Sequence, residues 1–246
     1  MNTFKNMLLV ALLQVLAFSA EAAVSKQNRA LVVVSELQTH GPNQLRELYR
    51  ATERATTLSA AAVLHDDYQS IVYLSQANAT LARFRNVIYN LSKRSDIKAI
   101  DVIFSLHGSN NQVAFREGAV TMSDFLSQMT TVSPLMNASQ IQTMKRKLRM
   151  IYNLSCFGLS ANDEFIRMGF DVTVGSRGIN ANAELEYPSV LTSWSFNFKF
   201  ADTFRLTNTD VAIAAADTPV RMIGINADSK KFMSGRGDVT ISTDPR

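Results

Sequence analysis

Cysteine is the scarcest reactive residue in this chain. Cys156 has no second thiol to pair with, which excludes intrachain disulfides and cysteine-rich zinc sites. Histidine is nearly as rare: His40, His65 and His107 are scattered along the first half of the sequence, too few and too far apart for the usual zinc ligation, so no metal or cofactor is expected. No G-x-S-x-G elbow appears, which removes the serine α/β-hydrolase pattern. An excess of one charge is also missing, since 25 basic and 21 acidic residues leave a net charge of only +4. The densest basic cluster is Lys145, Arg146, Lys147 and Arg149, late in an expected helix where cations suit the macrodipole. It has no interleaved aromatics, so nucleic acid is not an expected partner. The single long apolar run lies at the N-terminus and is shorter than the roughly 20 residues that a membrane span needs, so no stable membrane anchor is expected.

That run belongs to a leader-like pattern. Lys5 supplies a positive start, residues 7–18 (MLLVALLQVLAF) an apolar core, and Ser19-Ala20-Glu21-Ala22-Ala23 a small-residue site, with cleavage expected after Ala22. Residues 1–22 are therefore read as a signal peptide, and the mature protein as secreted or periplasmic. In an oxidising compartment an unpaired cysteine is either a buried small hydrophobe or is kept for its chemistry.

With 46% hydrophobic residues in 246, the chain can fill the core of one sizeable domain. Residues 29–36 (RALVVVSE) form a continuous β-branched run, as expected for a strand covered on both faces. Helical spacing over 44–58, a strand over 68–75 and a helix over 78–91 follow. A third strand over 98–106 ends at His107. Residues 113–125 (VAFREGAVTMSDF) read as a hairpin turning at Arg116-Glu117-Gly118, then a helix capped by Ser123. A helix over 137–147 feeds a fourth strand ending at Cys156, with a short helix over 162–168 and a fifth strand over 170–174 behind it. Residues 187–204 and 209–216 look helical, 220–225 is expected as a sixth strand, and 226–246 as a loose polar tail. Alternating strands and helices define an α/β class: one domain over 23–225, with a mostly parallel six-stranded sheet and helices on both faces. Right-handed crossovers put the carboxyl ends of the strands on one edge, so His107, Cys156 and the loop 175–178 share a rim.

Two strand ends thus deliver an imidazole and a thiol about fifty residues apart, a spacing also seen in one known group of cysteine hydrolases. A thiol attacks a carbonyl as thiolate, and an imidazole can take its proton and pass one to the leaving amine. Backbone N–H groups of Gly108 and Cys156 can receive the developing oxyanion, and a glycine lets the substrate come close. His40 stands in a turn beside Gly41-Pro42, and His65 precedes Asp66-Asp67, so neither competes with His107.

These residues resemble the clan CD cysteine peptidases, the group of caspases, legumain, clostripain and gingipains. The resemblance rests on IDVIFSLHG, on the hairpin and helix VAFREGAVTMSDF, on IYNLSCFG and on the following strand that opens into GSRG; it spans about residues 29 to 225. It implies a caspase-like fold, His107 as general acid/base, Cys156 as nucleophile, Gly108 and Cys156 as oxyanion donors, and a peptide or protein as substrate. It also implies that the loop after the fifth strand, with Ser176 and Arg177, lines the pocket for the residue before the cut. LSCFG departs from the caspase pentapeptide, so aspartate preference does not carry over. Glu36 would suit a basic side chain, Arg177 an acidic one, and Trp194 would either edge the cleft or pack beneath the sheet. A second reading keeps the same domain as a non-catalytic binding or scaffold module.

Overall fold

The computed structural model describes residues 23–246 apart from Pro42; the expected signal peptide lies outside the described residues. β1 (Arg29–Glu36) is buried along its whole length, which is why its sequence alternates so little. α1 (Arg46–Leu64), β2 (Ser70–Ser75), α2 (Leu81–Lys93) and β3 (Ala99–Ser109) follow. β4 (Gln112–Phe115) and β5 (Gly118–Thr121) make the expected hairpin, and α3 (Met122–Thr130) starts two residues earlier than expected. Its cap is Thr121, whose hydroxyl accepts the Asp124 N–H at 3.1 Å, rather than Ser123. α4 (Ala138–Lys145) is capped by Asn137 and Gln140 in a reciprocal box and leads into β6 (Leu148–Asn153). α5 (Asn162–Met168), β7 (Val172–Ser176), α6 (Ala183–Ser195), the single turn α7 (Phe200–Thr203), α8 (Asp210–Met222) and β8 (Lys231–Gly235) complete the chain.

The strand order is β2-β1-β3-β6-β7-β8, parallel as far as β7, with β8 antiparallel at the edge. Helices cover both faces. On one, Phe84, Phe104, Phe115, Phe125 and Phe165 interlock at ring separations between 5.2 and 6.2 Å, beneath α2 to α5. On the other, Tyr152, Tyr187, Trp194, Phe200 and Phe204 pack with α1 and α6.

Three expectations change. Residues 220–222 end α8, and the sixth strand lies at Lys231–Gly235. This strand carries no apolar run because, at an edge, half its surface faces solvent. The stretch 226–246 is not a loose tail: Val239 and Ile241 are fully buried, and the carbonyls of Ile241 and Thr243 accept from Arg149. Arg149 is not part of a helical cluster. It lies in β6, fully buried, paired with Asp101 and stacked against Trp194 at 5.6 Å.

Candidate active site

β3 runs past the edge of the parallel sheet. Its first eight residues pair with β1, whereas His107, Gly108 and Ser109 pair with the β4 hairpin strand, so His107 stands where the strand leaves one partner for another. β6 stops sooner than expected, at Asn153, three residues short of Cys156. The cause is local: the Asn153 side-chain oxygen accepts the Ser155 N–H at 3.1 Å, an Asx-type turn that ends the ladder and lifts Cys156 onto the rim. Phe157 then takes a left-handed conformation (φ 55°), held by its N–H donating to the Gly178 carbonyl at 2.8 Å.

The two strand ends are in contact. A side chain on Gly108 would run into the Cys156 carbonyl oxygen and come within 2.8 Å of Ser155 Cβ, so only glycine allows this approach. The turn behind Cys156 is packed as tightly, with Gly158 against the backbone of Gly175. Tyr49, from α1, closes the site from above: its ring meets the His107 imidazole edge-on at 4.9 Å, and its hydroxyl is pushed up by burial and by the negative charge that Cys156 carries when ionised.

The protonation states follow from the partners. His107 Nε2 lies 2.7 Å from the Leu37 carbonyl oxygen, which can only accept, so Nε2 carries a proton and Nδ1 is the nitrogen whose lone pair the neutral tautomer would expose. Burial pushes the Cys156 thiol above its ordinary range; the Asn180 backbone N–H and the Lys231 charge oppose this without reversing it. The resting sulfur is therefore held as the neutral thiol. The Cys156 N–H donates to no carbonyl or side-chain oxygen among the described residues, which leaves it open to an oxyanion.

The expected specificity residues fare differently. Ser176 is fully buried, and its hydroxyl donates to the carbonyls of Ser155 and Gly178, so it shapes the turn rather than facing a ligand. Arg177 is exposed but tied to Asp228, with its guanidinium over Phe232 at 5.8 Å. Glu36 is 1% exposed; its carboxylate accepts the Thr39 N–H at 2.8 Å and lies 3.9 Å from Arg116, so it closes the turn after β1. Trp194 is 1% exposed beneath the sheet, donating to the Tyr68 hydroxyl at 2.9 Å, and does not edge the cleft. What the site does possess is a groove of about 400 Å³ between α1 and α6. Leu48, Ala51, Ala55, Ala183, Tyr187 and Pro188 wall it, and Ser105 and Leu154, each two positions before His107 and Cys156, line it too. The remaining histidines are committed elsewhere: His40 binds the Phe115 carbonyl at 2.7 Å and His65 faces Asp66. Among the described residues no three His, Cys, Asp or Glu side chains converge as a metal site would require, and no helix is long and apolar enough to cross a membrane.

Sheet order, antiparallel last strand and two helical layers define a single caspase-like α/β domain. Among solved structures the fold matches the crystal structure of caspase-1 from Spodoptera frugiperda with a TM-score of 0.61. The match covers 89% of this chain and 92% of that one at 9% sequence identity. Neither a protein-family model nor a curated protein matches the sequence.

Proposed function

We propose that this protein is an exported cysteine endopeptidase that cuts peptide bonds through Cys156 and His107. The observation that carries the reading is the Leu37 carbonyl on His107 Nε2, which leaves Nδ1 as a free base on the strand that touches the cysteine segment. When substrate enters, Nδ1 takes the thiol proton and the sulfur bonds to the carbonyl carbon. The oxyanion falls between the N–H groups of Gly108 and Cys156. Collapse breaks the C–N bond as the imidazolium gives its proton to the amine; water, activated by the same nitrogen, then releases the acyl group. Because the thiol starts neutral, proton transfer and attack are coupled, rather than relying on a stored thiolate.

Glu36 and Arg177 are both already paired, so neither is offered to a charged substrate side chain. The groove between α1 and α6 takes their place, and its mostly apolar lining, in which Glu184 is already bonded by the Thr52 hydroxyl, suits an apolar residue before the cut. Export rests on the leader-like pattern, and the expected cleavage after Ala22 keeps Val24, which is buried and whose N–H donates to Ser242 O at 2.8 Å. Mass spectrometry of the exported product is expected to show a chain beginning at Ala23. A positional-scanning fluorogenic peptide library, run under reducing conditions with wild type and Cys156→Ala, tests the activity. Turnover by wild type alone, with apolar residues preferred before the cut, is the expected result; no turnover by either leaves the binding-module reading in its place.

A further inference from the structure

The sulfur has a cationic neighbour that the dyad does not use. Lys231 opens β8, registers opposite Ser176 on β7, and is 4% exposed. Its ammonium donates to the Asn180 side-chain oxygen at 2.7 Å and the Ser229 carbonyl at 3.2 Å, and lies 3.5 Å from Glu186. Asn180 faces the other way as well: its side-chain N–H donates to the Leu154 carbonyl at 2.9 Å, two residues before the cysteine, and its backbone N–H favours the thiolate. One asparagine therefore joins a buried ammonium to the segment that carries the nucleophile.

A buried lysine needs a reason, because desolvation disfavours its charge. Glu186 on α6 and Asp217 on α8 supply much of the compensation, and a negative sulfur adds to it. Glu186 is further held by the Tyr152 hydroxyl at 2.6 Å, and Asp217 by Ser229 and Arg221. On the sulfur's side the other titratable group that feels its charge is Tyr49 from α1, whose ring in turn meets His107 from β3. Of these groups Lys231 is the one cation whose charge favours the thiolate, although burial holds its own ionisation below the ordinary lysine range.

We propose that Lys231 is a positioning residue for the nucleophile: held by Asn180 and Glu186, its ammonium stabilises the Cys156 thiolate that forms when His107 withdraws the proton. The catalytic part of this assignment rests on the peptidase reading; the charge coupling between lysine and sulfur stands apart from it. Because Cys156 is the only cysteine, alkylation by iodoacetamide reports on this sulfur alone.

The test is the rate of alkylation against pH in wild type, Lys231→Met and Lys231→Arg, with peptide turnover measured alongside. Lys231→Met is expected to raise the midpoint by about one pH unit, a roughly tenfold loss of rate at any pH below it, while Lys231→Arg stays near wild type. An unmoved midpoint in a cooperatively melting Lys231→Met overturns the proposal, whether or not wild type cuts peptides. A moved midpoint in a protein that cuts nothing sustains the coupling and removes the peptidase reading instead. If Lys231→Met does not fold, the reciprocal measurement decides: the NMR titration of Lys231 Cε should have a lower midpoint in Cys156→Ala than in wild type. An equal midpoint there overturns the proposal.

Discussion

Leu37 contributes to the site with its backbone alone, and that one carbonyl decides which imidazole nitrogen is free. On the proposed mechanism, replacing the imidazole removes the base: His107→Ala is expected to lower kcat/KM by about 10²- to 10⁴-fold, measured on the best peptide of a library. The thiol obeys a different control. Burial raises its ionisation, so the alkylation midpoint should lie above the roughly pH 8.5 of a free cysteine. The sign for stability follows. A thiol whose folded value is raised contributes stability fully below its unfolded value and loses it as pH rises through the folded one. Wild type is therefore expected to lose melting temperature relative to Cys156→Ala as pH climbs past about 8.5, and a constant difference would contradict the burial argument. Gly108 is the third residue on which the geometry turns. A methyl there meets the Cys156 carbonyl, so Gly108→Ala is expected to cost about 1–3 kcal/mol in urea unfolding and to slow turnover beyond that loss. His107, Gly108 and Cys156 were legible in the sequence because each ends an apolar run. Tyr49, Asn180 and Lys231 were not, since a tyrosine on a helix or a lysine in a polar stretch carries no mark until the fold brings it to the sulfur.

At the level of elements, legibility follows burial. β1, β3 and β6 are covered on both faces and announce themselves as continuous apolar runs, whereas β8 (KFMSG) satisfies one neighbour only and has no such signature. The same rule explains the end of the chain, where two buried side chains, Val239 and Ile241, are too few to register as an element. Their importance comes from what they cover. Arg149 and Asp101 form a fully buried ion pair, with the Tyr68 hydroxyl on Asp101 at 2.7 Å and the C-terminal carbonyls on Arg149. Removing one partner of such a pair leaves the other charge without compensation. Asp101→Ala is therefore expected to destabilise the protein by about 3–5 kcal/mol, read from chemical unfolding, whereas replacing both with matched apolar residues costs far less.

For the molecule as a whole, the match to a caspase at 9% identity over nearly the full chain is a likeness of fold alone. On the proposed reading a substrate lies at the carboxyl ends of β3 and β6, and the helices on the α1 and α6 face decide what it must look like. Their groove is built from chain segments more than a hundred residues apart, so no local motif could disclose it, and its mostly apolar walls also carry Thr52, Thr56, Ser59, Ser105 and Glu184. Ala183 lines it from α6, facing Ala51 and Leu48 across the gap. Filling that space with a ring should act on recognition without touching the chemistry. In Ala183→Phe the small reagent iodoacetamide should reach Cys156 at the wild-type rate, while kcat/KM for peptides with a large apolar residue before the cut falls about 10- to 200-fold. Peptides with alanine or glycine at that position should lose far less. An equal loss across all peptides would mean that the groove holds no substrate side chain and that recognition lies elsewhere on the rim.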